Sequence, residues 1–423
     1  MTDPEPTPRY AQAPLVDGHL DLAFNAVALE RDLTLPLDEL RAAEALTSQS
    51  AMVTWPELRA AGIDLVFGTL FANPARRVAM QPDGPPAAAG GGRAEGEAAG
   101  ERRAGERAEG ERDAADHAEG ELDTTEHAEG ELDTAEHAEG ERDGTSRFDP
   151  FEGIAPAYRD AEEAHEQARA QLDWYRSMEA IGWARIVTSQ ADLAALRAER
   201  AASWEAPIGV VLLMEGADPI RTPDELRWWW DQGLRIVGPA WQGTRYAGGT
   251  RAPGPLTPLG HALIDAMQEL GMALDLSHLA DESLWQALER FDGPVLASHS
   301  NARALTPTDR HLSDDALRAL GERDGVVGMV LGNAFLDRSV ARDGTVDLRS
   351  VRRHFNHLRK HVGARRVGIG SDFDGGFGTE ETPIELTRGA DFARLGKVVP
   401  REQRSSFLGG AWWAWLERSL PSA

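Results

Sequence analysis

No cysteine occurs among the 423 residues. Its absence excludes disulfides, thiolate metal sites and cysteine nucleophiles, so any metal must be held by histidine nitrogen and carboxylate oxygen, a donor set suited to zinc, manganese or iron. Basic charge is also scarce: 44 Lys and Arg stand against 70 Asp and Glu, for a formal charge of −26. Such a chain lacks the basic surface that phosphate recognition needs, and no nucleic-acid partner is expected. Long apolar runs are missing as well. Stretches such as "IGVVLLM" (208–214) fall far short of the ~20 residues that cross a bilayer. The opening "MTDPEPTPRYAQAP" lacks the basic-then-apolar order of a secretory signal. A soluble, cytoplasmic protein with no membrane partner is the expectation.

Large apolar residues nearly vanish between 81 and 147, where Ala, Gly, Glu, Asp and Arg dominate. A ten-residue unit recurs there as "HAEGELDTTE" (117–126), "HAEGELDTAE" (127–136) and "HAEGERDGTS" (137–146). Residues 91–147 hold 19 acidic against 7 basic side chains and so supply −12 of the total charge. A segment of this composition cannot bury enough apolar surface to offset the entropy of ordering it, which predicts a disordered acidic insertion at 81–147 within a single domain spanning 1–423. His117, His127 and His137 repeat within it, but their spacing does not place two histidines one helical turn apart, as a helical metal site would require.

Outside the insertion, short apolar runs alternate with amphipathic stretches. The candidate strands are 13–21, 63–71, 208–216, 234–240, 272–278, 294–300, 325–332 and 366–372. Between them "DESLWQALERF" (281–291) and "DDALRALGER" (314–323) carry apolar residues at helical spacing. Eight strands with intervening helices predict an α/β fold, a parallel (β/α)8 TIM-type barrel carrying the long acidic insertion. "ARIVTS" (184–189) leaves a ninth strand open.

The strand ends share a chemistry. The first closes on His19 and Asp21, the third on Glu215, the fifth on His278, the sixth on His299 and the eighth on Asp372. In a barrel of this kind the C-terminal strand ends converge on the face where active sites are built. Each motif alone is ordinary, since a lone HxD or a histidine beside an apolar strand is commonly a hydrogen-bonded core residue. Together they are harder to explain without cations, because imidazoles and carboxylates are costly to desolvate unless paired or bound to metal. Three histidines and two carboxylates suit two metal ions sharing a bridging carboxylate. Such a pair can hold a hydroxide and polarise a carbonyl, which points to metal-assisted hydrolysis of an amide or ester.

The motifs resemble those of the membrane dipeptidase (renal dipeptidase) family, the M19 peptidases among the amidohydrolase-like barrels. "VDGHLDLAFN" resembles that family's DGHND-type opening, and "LLMEGADPI" its strand ending in EG. "LDLSHLADES" and "ASHSNARAL" are similar to its two histidine motifs, and "GIGSDFDG" to its GIGGDFDG. "FLGGAWWAWLE" is similar to its GGNxxR terminus, with Ala411 where asparagine is usual. The resemblance implies a dipeptidase with two Zn2+ per chain, acting on a small dipeptide-like substrate through a metal-bridging hydroxide. It implies His19 and Asp21 on one zinc, His278 and His299 on the other, and Glu215 bridging them. Asp372 would shuttle the proton, while Asp374 would brace its loop. Arg310, eleven residues after His299, would grip the substrate carboxylate, against the plainer alternative of a surface arginine before an N-cap at Ser313.

One departure stands out. Where the family reads LTLTH after the fourth strand, "GLRIVGPAWQGTRYAGGT" (233–250) places Trp241, and an indole can donate one hydrogen bond but carries no charge at neutral pH. Either another donor, such as Arg245 or His311, supplies the stabilisation, or the substrate differs; a third alternative is that Trp241 simply packs as a substrate-binding pocket wall. A deacylase or lactonase altered at Trp241, and a non-catalytic metal-binding scaffold, are the rival functions. The family's habit implies a possible homodimer, for which "LRWWWDQ" (226–232) and "AWWAWLE" (411–417) offer either interface or core.

Overall fold

The computed structural model describes residues 13–44, 49–75, 155–343 and 345–422; the insertion expected at 81–147 lies outside them. Eleven strands form among the described residues: β1 (Val16–Leu20), β2 (Leu65–Phe71), β3 (Ala184–Ile186), β4 (Ile208–Glu215), β5 (Leu234–Gly238), β6 (Ala247–Gly249), β7 (Ala252–Leu256), β8 (Ala273–Asp275), β9 (Val295–Ala297), β10 (Val326–Met329) and β11 (Val367–Ile369). Eight of them run parallel in the order β2-β1-β11-β10-β9-β8-β5-β4, and pairing of β4 with β2 closes the barrel. These are the eight expected segments. Every residue of β2 and of β4 is buried, as befits parallel strands covered by helices outside and packed side chains inside.

The ninth stretch, 184–189, does form a strand but not a stave of the barrel. β3 pairs with Ile208–Val210, the first half of β4, while β5 pairs with Leu212–Glu215 on the second half. A three-residue strand thus fills the edge of β4 that β5 reaches only higher up. The β6–β7 hairpin, antiparallel and separate from the barrel, was not foreseen, because "AGGTRAPGPL" (247–256) lacks the bulky β-branched residues that signal strands. It projects from the connection after β5.

The helices begin where the sequence supplies caps. Side chains of Thr54, Asp160, Ser189, Thr257 and Ser313 accept backbone N–H groups of their first turns, each contact worth about 0.5–2 kcal/mol against alanine. The helices expected at 281–291 and 314–323 form as Asp281–Arg290 and Asp314–Glu322. No described helix is long and apolar enough to cross a membrane.

The floor of the barrel is aromatic. Trp412, on helix Ala411–Ser419, packs edge-on against Phe67, with ring centroids 5.0 Å apart, and its indole donates to the Ile369 carbonyl at 2.8 Å. Gly18 and Gly368 make room for it: a Cβ on either would lie 2.6 Å and 2.4 Å from the indole, respectively. Trp412, Trp413 and Trp415 are all buried, so this tryptophan cluster is core.

The chain leaves the described barrel after residue 75 and returns at 155, and the two ends are tied together. Tyr158 N–H donates to the Asn73 carbonyl at 2.7 Å, and Ala75 N–H to the Tyr158 carbonyl at 2.9 Å. A short linker can therefore replace the acidic repeats at little cost in loop closure. Exchanging residues 85–145 for a Gly/Ser linker is expected to leave solubility, the melting transition and metal content unchanged. Insoluble protein, or loss of bound metal on elemental analysis, would assign the repeats a structural task.

Candidate metal centre and active site

The strand-end residues meet around one carboxylate. Glu215, the last residue of β4, places Oε1 at 2.9 Å from His278 Nε2 and 3.3 Å from His299 Nε2, and Oε2 at 3.4 Å from His19 Nε2. His278 and His299 hold their Nε2 atoms 3.1 Å apart. On the other side, His19 Nε2 lies 3.9 Å from Asp21 Oδ1 and 3.9 Å from Asp372 Oδ1. All of these residues are buried. The structure thus gathers His19, Asp21, Glu215, His278, His299 and Asp372, and gives each Glu215 oxygen its own set of neighbours.

Only His19 and Glu215 lie within strands. His278 and Asp372 follow theirs by three residues and take φ of +66° and +59°, a left-handed conformation that costs a side-chain-bearing residue on the order of 1–3 kcal/mol. Buried polar contacts hold these turns. Asp17 Oδ1 accepts from Ser371 N–H at 2.8 Å and its Oδ2 from the Ser371 hydroxyl at 2.5 Å, joining β1 to the turn after β11. Asp275 Oδ1 accepts from Ser277 and Ser298 N–H, both at 2.9 Å, joining β8 to β9. Close approach also dictates Gly375, where a Cβ would sit 1.9 Å from Asp372 Oδ1. Asp374 turns away from the cluster and accepts from Met52 and Val53 N–H at 2.9–3.0 Å. It braces the loop.

The far sides of the imidazoles are engaged too. Ser298 Oγ lies 3.1 Å from His19 Nδ1 and 2.8 Å from His299 Nδ1, with Ser277 Oγ at 3.3 Å, while Thr250, at the tip of the β6–β7 hairpin, meets His278 Nδ1 at 3.0 Å. When all three histidines present Nε2 to cations, their Nδ1–H groups donate to these hydroxyls, the arrangement that orients metal-bound imidazoles. The Thr69 hydroxyl, in the opposite sense, donates to Asp21 Oδ1. Ser298, Thr250, Thr69, Asp17 and Asp275 were not singled out from sequence, where a hydroxyl or acid beside an apolar run carries no distinguishing pattern.

The charges of the cluster perturb one another. Burial pulls the His19 imidazolium down, but Glu215, Asp21 and Asp372 outweigh it and push the group up to about 10. Burial, joined by the Glu215 charge, lifts Asp21 to about 6, and burial with Asp21 and Glu215 raises Asp372 well above the carboxylate range. Burial and the Arg310 charge lower His278 to about 4; burial, His19 and Arg310 also depress His299. Glu215, despite burial, is held low by the three histidines. His19 Nε2 has no hydrogen-bond partner although fully buried. Nitrogen and oxygen donors converge in two groups, His19–Glu215–His299 and His19–Asp21–Asp372, each with one ligand atom per residue within 4.8 Å of the others. This donor set fits divalent cations of the zinc type.

Arg310 is buried, which removes the surface-arginine alternative; it donates to the Ser300 hydroxyl at 3.2 Å and the His299 carbonyl at 2.8 Å. Ser313 does cap the following helix. Trp241 sits half-buried at the rim, edge-on to Phe71 at 5.1 Å and 6.3 Å from the His278 ring. Neither substitute donor is turned toward it. Arg245 is committed to Asp218 and to the Ile220 carbonyl, and His311 bonds the Asn301 N–H and the Phe335 carbonyl.

Known proteins share this architecture. A sequence model of the membrane dipeptidase family (Peptidase family M19) matches residues 9–397. An uncharacterized protein from the pqqA 5' region of Klebsiella pneumoniae is 33% identical over 204 residues, 46% of this chain and 73% of that protein. Dipeptidase 3 of Mus musculus is 35% identical over 120 residues, 28% of this chain and 24% of that one. Among solved structures, dipeptidase AC, a metallopeptidase of family M19, superposes with a TM-score of 0.66 at 22% identity, covering 97% of this chain and all of its own. A metallopeptidase from Rhodobacter sphaeroides, liganded with a phosphinate mimic of the dipeptide L-Ala-D-Ala, gives 0.65 at 21% identity, covering 96% and 99%. The matched span takes in the whole barrel and all six strand-end residues, and the chain belongs to the membrane dipeptidase family, as a peptidase of family M19.

Proposed function

We propose that the protein is a binuclear zinc dipeptidase that hydrolyses the amide bond of dipeptides or similar small amides. The supporting observation is the Glu215 carboxylate, with one oxygen facing His278 and His299 and the other facing His19. His278 and His299 would hold one ion, His19 and Asp21 the second, and Glu215 both. Bound there, the ions supply Lewis acidity toward the scissile carbonyl and acidify the attacking water.

The chain's own groups do the rest. Asp372, 3.9 Å from His19 Nε2 and grouped with His19 and Asp21, would take the proton of the attacking water and return it to the leaving amine, a shuttle that needs a carboxylate held close to the ions. Arg310 presents a guanidinium fastened to the His299 carbonyl and Ser300, suited to pairing with the free carboxylate of a dipeptide. The dipeptide mimic held by the Rhodobacter sphaeroides metallopeptidase is a ligand of that chemistry. Trp241 would wall the pocket beside His278. Its place at the rim, with Arg245 and His311 both engaged elsewhere, also favours a second reading, a deacylase or lactonase that needs no charged donor at that position.

Three measurements separate these roles. Asp372→Asn is expected to retain the metal content of wild type by elemental analysis yet lose roughly two to four orders of magnitude in kcat, the usual worth of a positioned acid–base group; full activity would remove the shuttle. Arg310→Met should depress kcat/KM for free-acid dipeptides and spare their C-terminal amides, since only the acids offer a charge to pair. Equal losses on both substrates would deny it the carboxylate. Trp241→His should raise or broaden dipeptide hydrolysis relative to N-acyl amino acids and lactones, whereas an unchanged profile would make the indole a passive wall.

A further inference from the structure

A second cluster of metal-competent side chains lies in the helical layer. Helix Leu348–His361 carries His357 and His361 one turn apart, with their rings stacked at 4.6 Å and 20°. Both turn Nε2 toward Asp314, the first residue of helix Asp314–Glu322: His357 lies 2.6 Å from Oδ1 and His361 3.5 Å from Oδ2. One ligand atom from each lies within 4.8 Å of the others.

An ordinary interhelical hydrogen bond needs one imidazole and one carboxylate oxygen. Here a second imidazole is held against the other oxygen, and its Nε2 is shielded from water without a hydrogen-bond partner. Histidines four apart on one helix face, with a carboxylate from a neighbouring element, are a known donor pattern for zinc. Around a tetrahedral ion with ligands at about 2.0–2.1 Å, donor atoms stand about 3.4 Å apart. The His361–Asp314 separation already matches that, and the His357 contact must open by less than an ångström as a proton gives way to the ion. Asp314 and His357 remain partly exposed, at 35% and 20% of their side chains, so a cation can enter and keep water as its fourth ligand.

Two neighbours work against binding. Arg318 Nη1 lies 3.1 Å from His361 Nδ1 and must release it once that nitrogen carries the proton, but Arg318 is half exposed and already pairs with Asp315. Lys360 adds a like charge close by. Both reduce affinity without blocking the donors.

The location gives the cluster a consequence. Asp314 follows Arg310 by four residues, and His354, one turn before His357, accepts the Ala302 N–H at 3.2 Å and bonds the Leu336 carbonyl at 3.0 Å. An ion shared by the two helices would therefore add a second clasp to the connection that carries Arg310. We propose that Asp314, His357 and His361 form a third divalent-cation site, for zinc or an ion of similar preference, that fastens the Arg310 connection to helix Leu348–His361. The proposal does not depend on what the strand-end centre catalyses.

The test is a zinc titration of the full-length, metal-stripped protein by equilibrium dialysis with elemental analysis. Wild type should bind one zinc equivalent more than the double variant His357→Gln/His361→Gln, and added zinc should raise its melting temperature further. Equal stoichiometry would overturn the proposal and leave the contact as a hydrogen bond between helices. Should the double variant fail to fold by circular dichroism, Asp314→Asn keeps a polar residue at the helix start. In that variant the extra equivalent should be weakened or lost, and an isotherm superimposable on wild type would overturn the site.

Discussion

The Glu215 carboxylate among three buried imidazoles is the constraint around which the barrel is arranged. A buried carboxylate is costly unless it is paired, and this one is paired from two directions, by His278 and His299 on one oxygen and His19 on the other. Those partners come from β1 and from the ends of β8 and β9, and Glu215 from β4, so the contact exists only when the barrel closes in register. Further acids, Asp21 and Asp372, stand near His19. Burial, joined by the neighbouring carboxylates, raises Asp21 and Asp372 above their ordinary range.

The layer beneath holds the cluster still. Asp17 and Asp275 each tie their strand to the turn after its neighbour through backbone N–H groups, and Ser298 faces His19 and His299 with one hydroxyl. These bonds over-determine the turns at His278 and Asp372, and that is why left-handed backbone persists there on residues other than glycine. Farther down, Trp412 fills the floor against Gly18 and Gly368. Rigid support of this kind keeps the candidate ligands placed.

Trp241 stands at the rim, and the two donors weighed as substitutes for a histidine there are engaged elsewhere. Trp241 contacts Phe71 and approaches His278, while Arg245 is drawn toward Asp218. The charged group remaining beside the centre is Arg310, buried and anchored to the strand-end backbone. A fixed guanidinium thus stands on one side of the centre and an indole on the other.

Much of this was legible beforehand. Apolar runs of parallel-strand character marked all eight staves, since a strand buried on both faces must be continuously apolar, and the acids and histidines that close those runs marked the site. The conspicuous histidines of the repeats pointed elsewhere, whereas His357 and His361 drew no notice because their carboxylate lies on another helix. The sequence by itself determined the barrel and the chemical identity of the strand-end donors, and left the tryptophans at its foot open between interface and core. Tertiary structure alone decided which oxygen of Glu215 meets which histidine, that Arg310 is interior, that Arg245 and His311 are occupied, and that hydroxyls from distant segments back the imidazoles. Apolar periodicity is a local property, readable along the chain. Hydrogen-bond partnership is set by which ends the closed sheet brings within about 3 Å, and no local pattern encodes that.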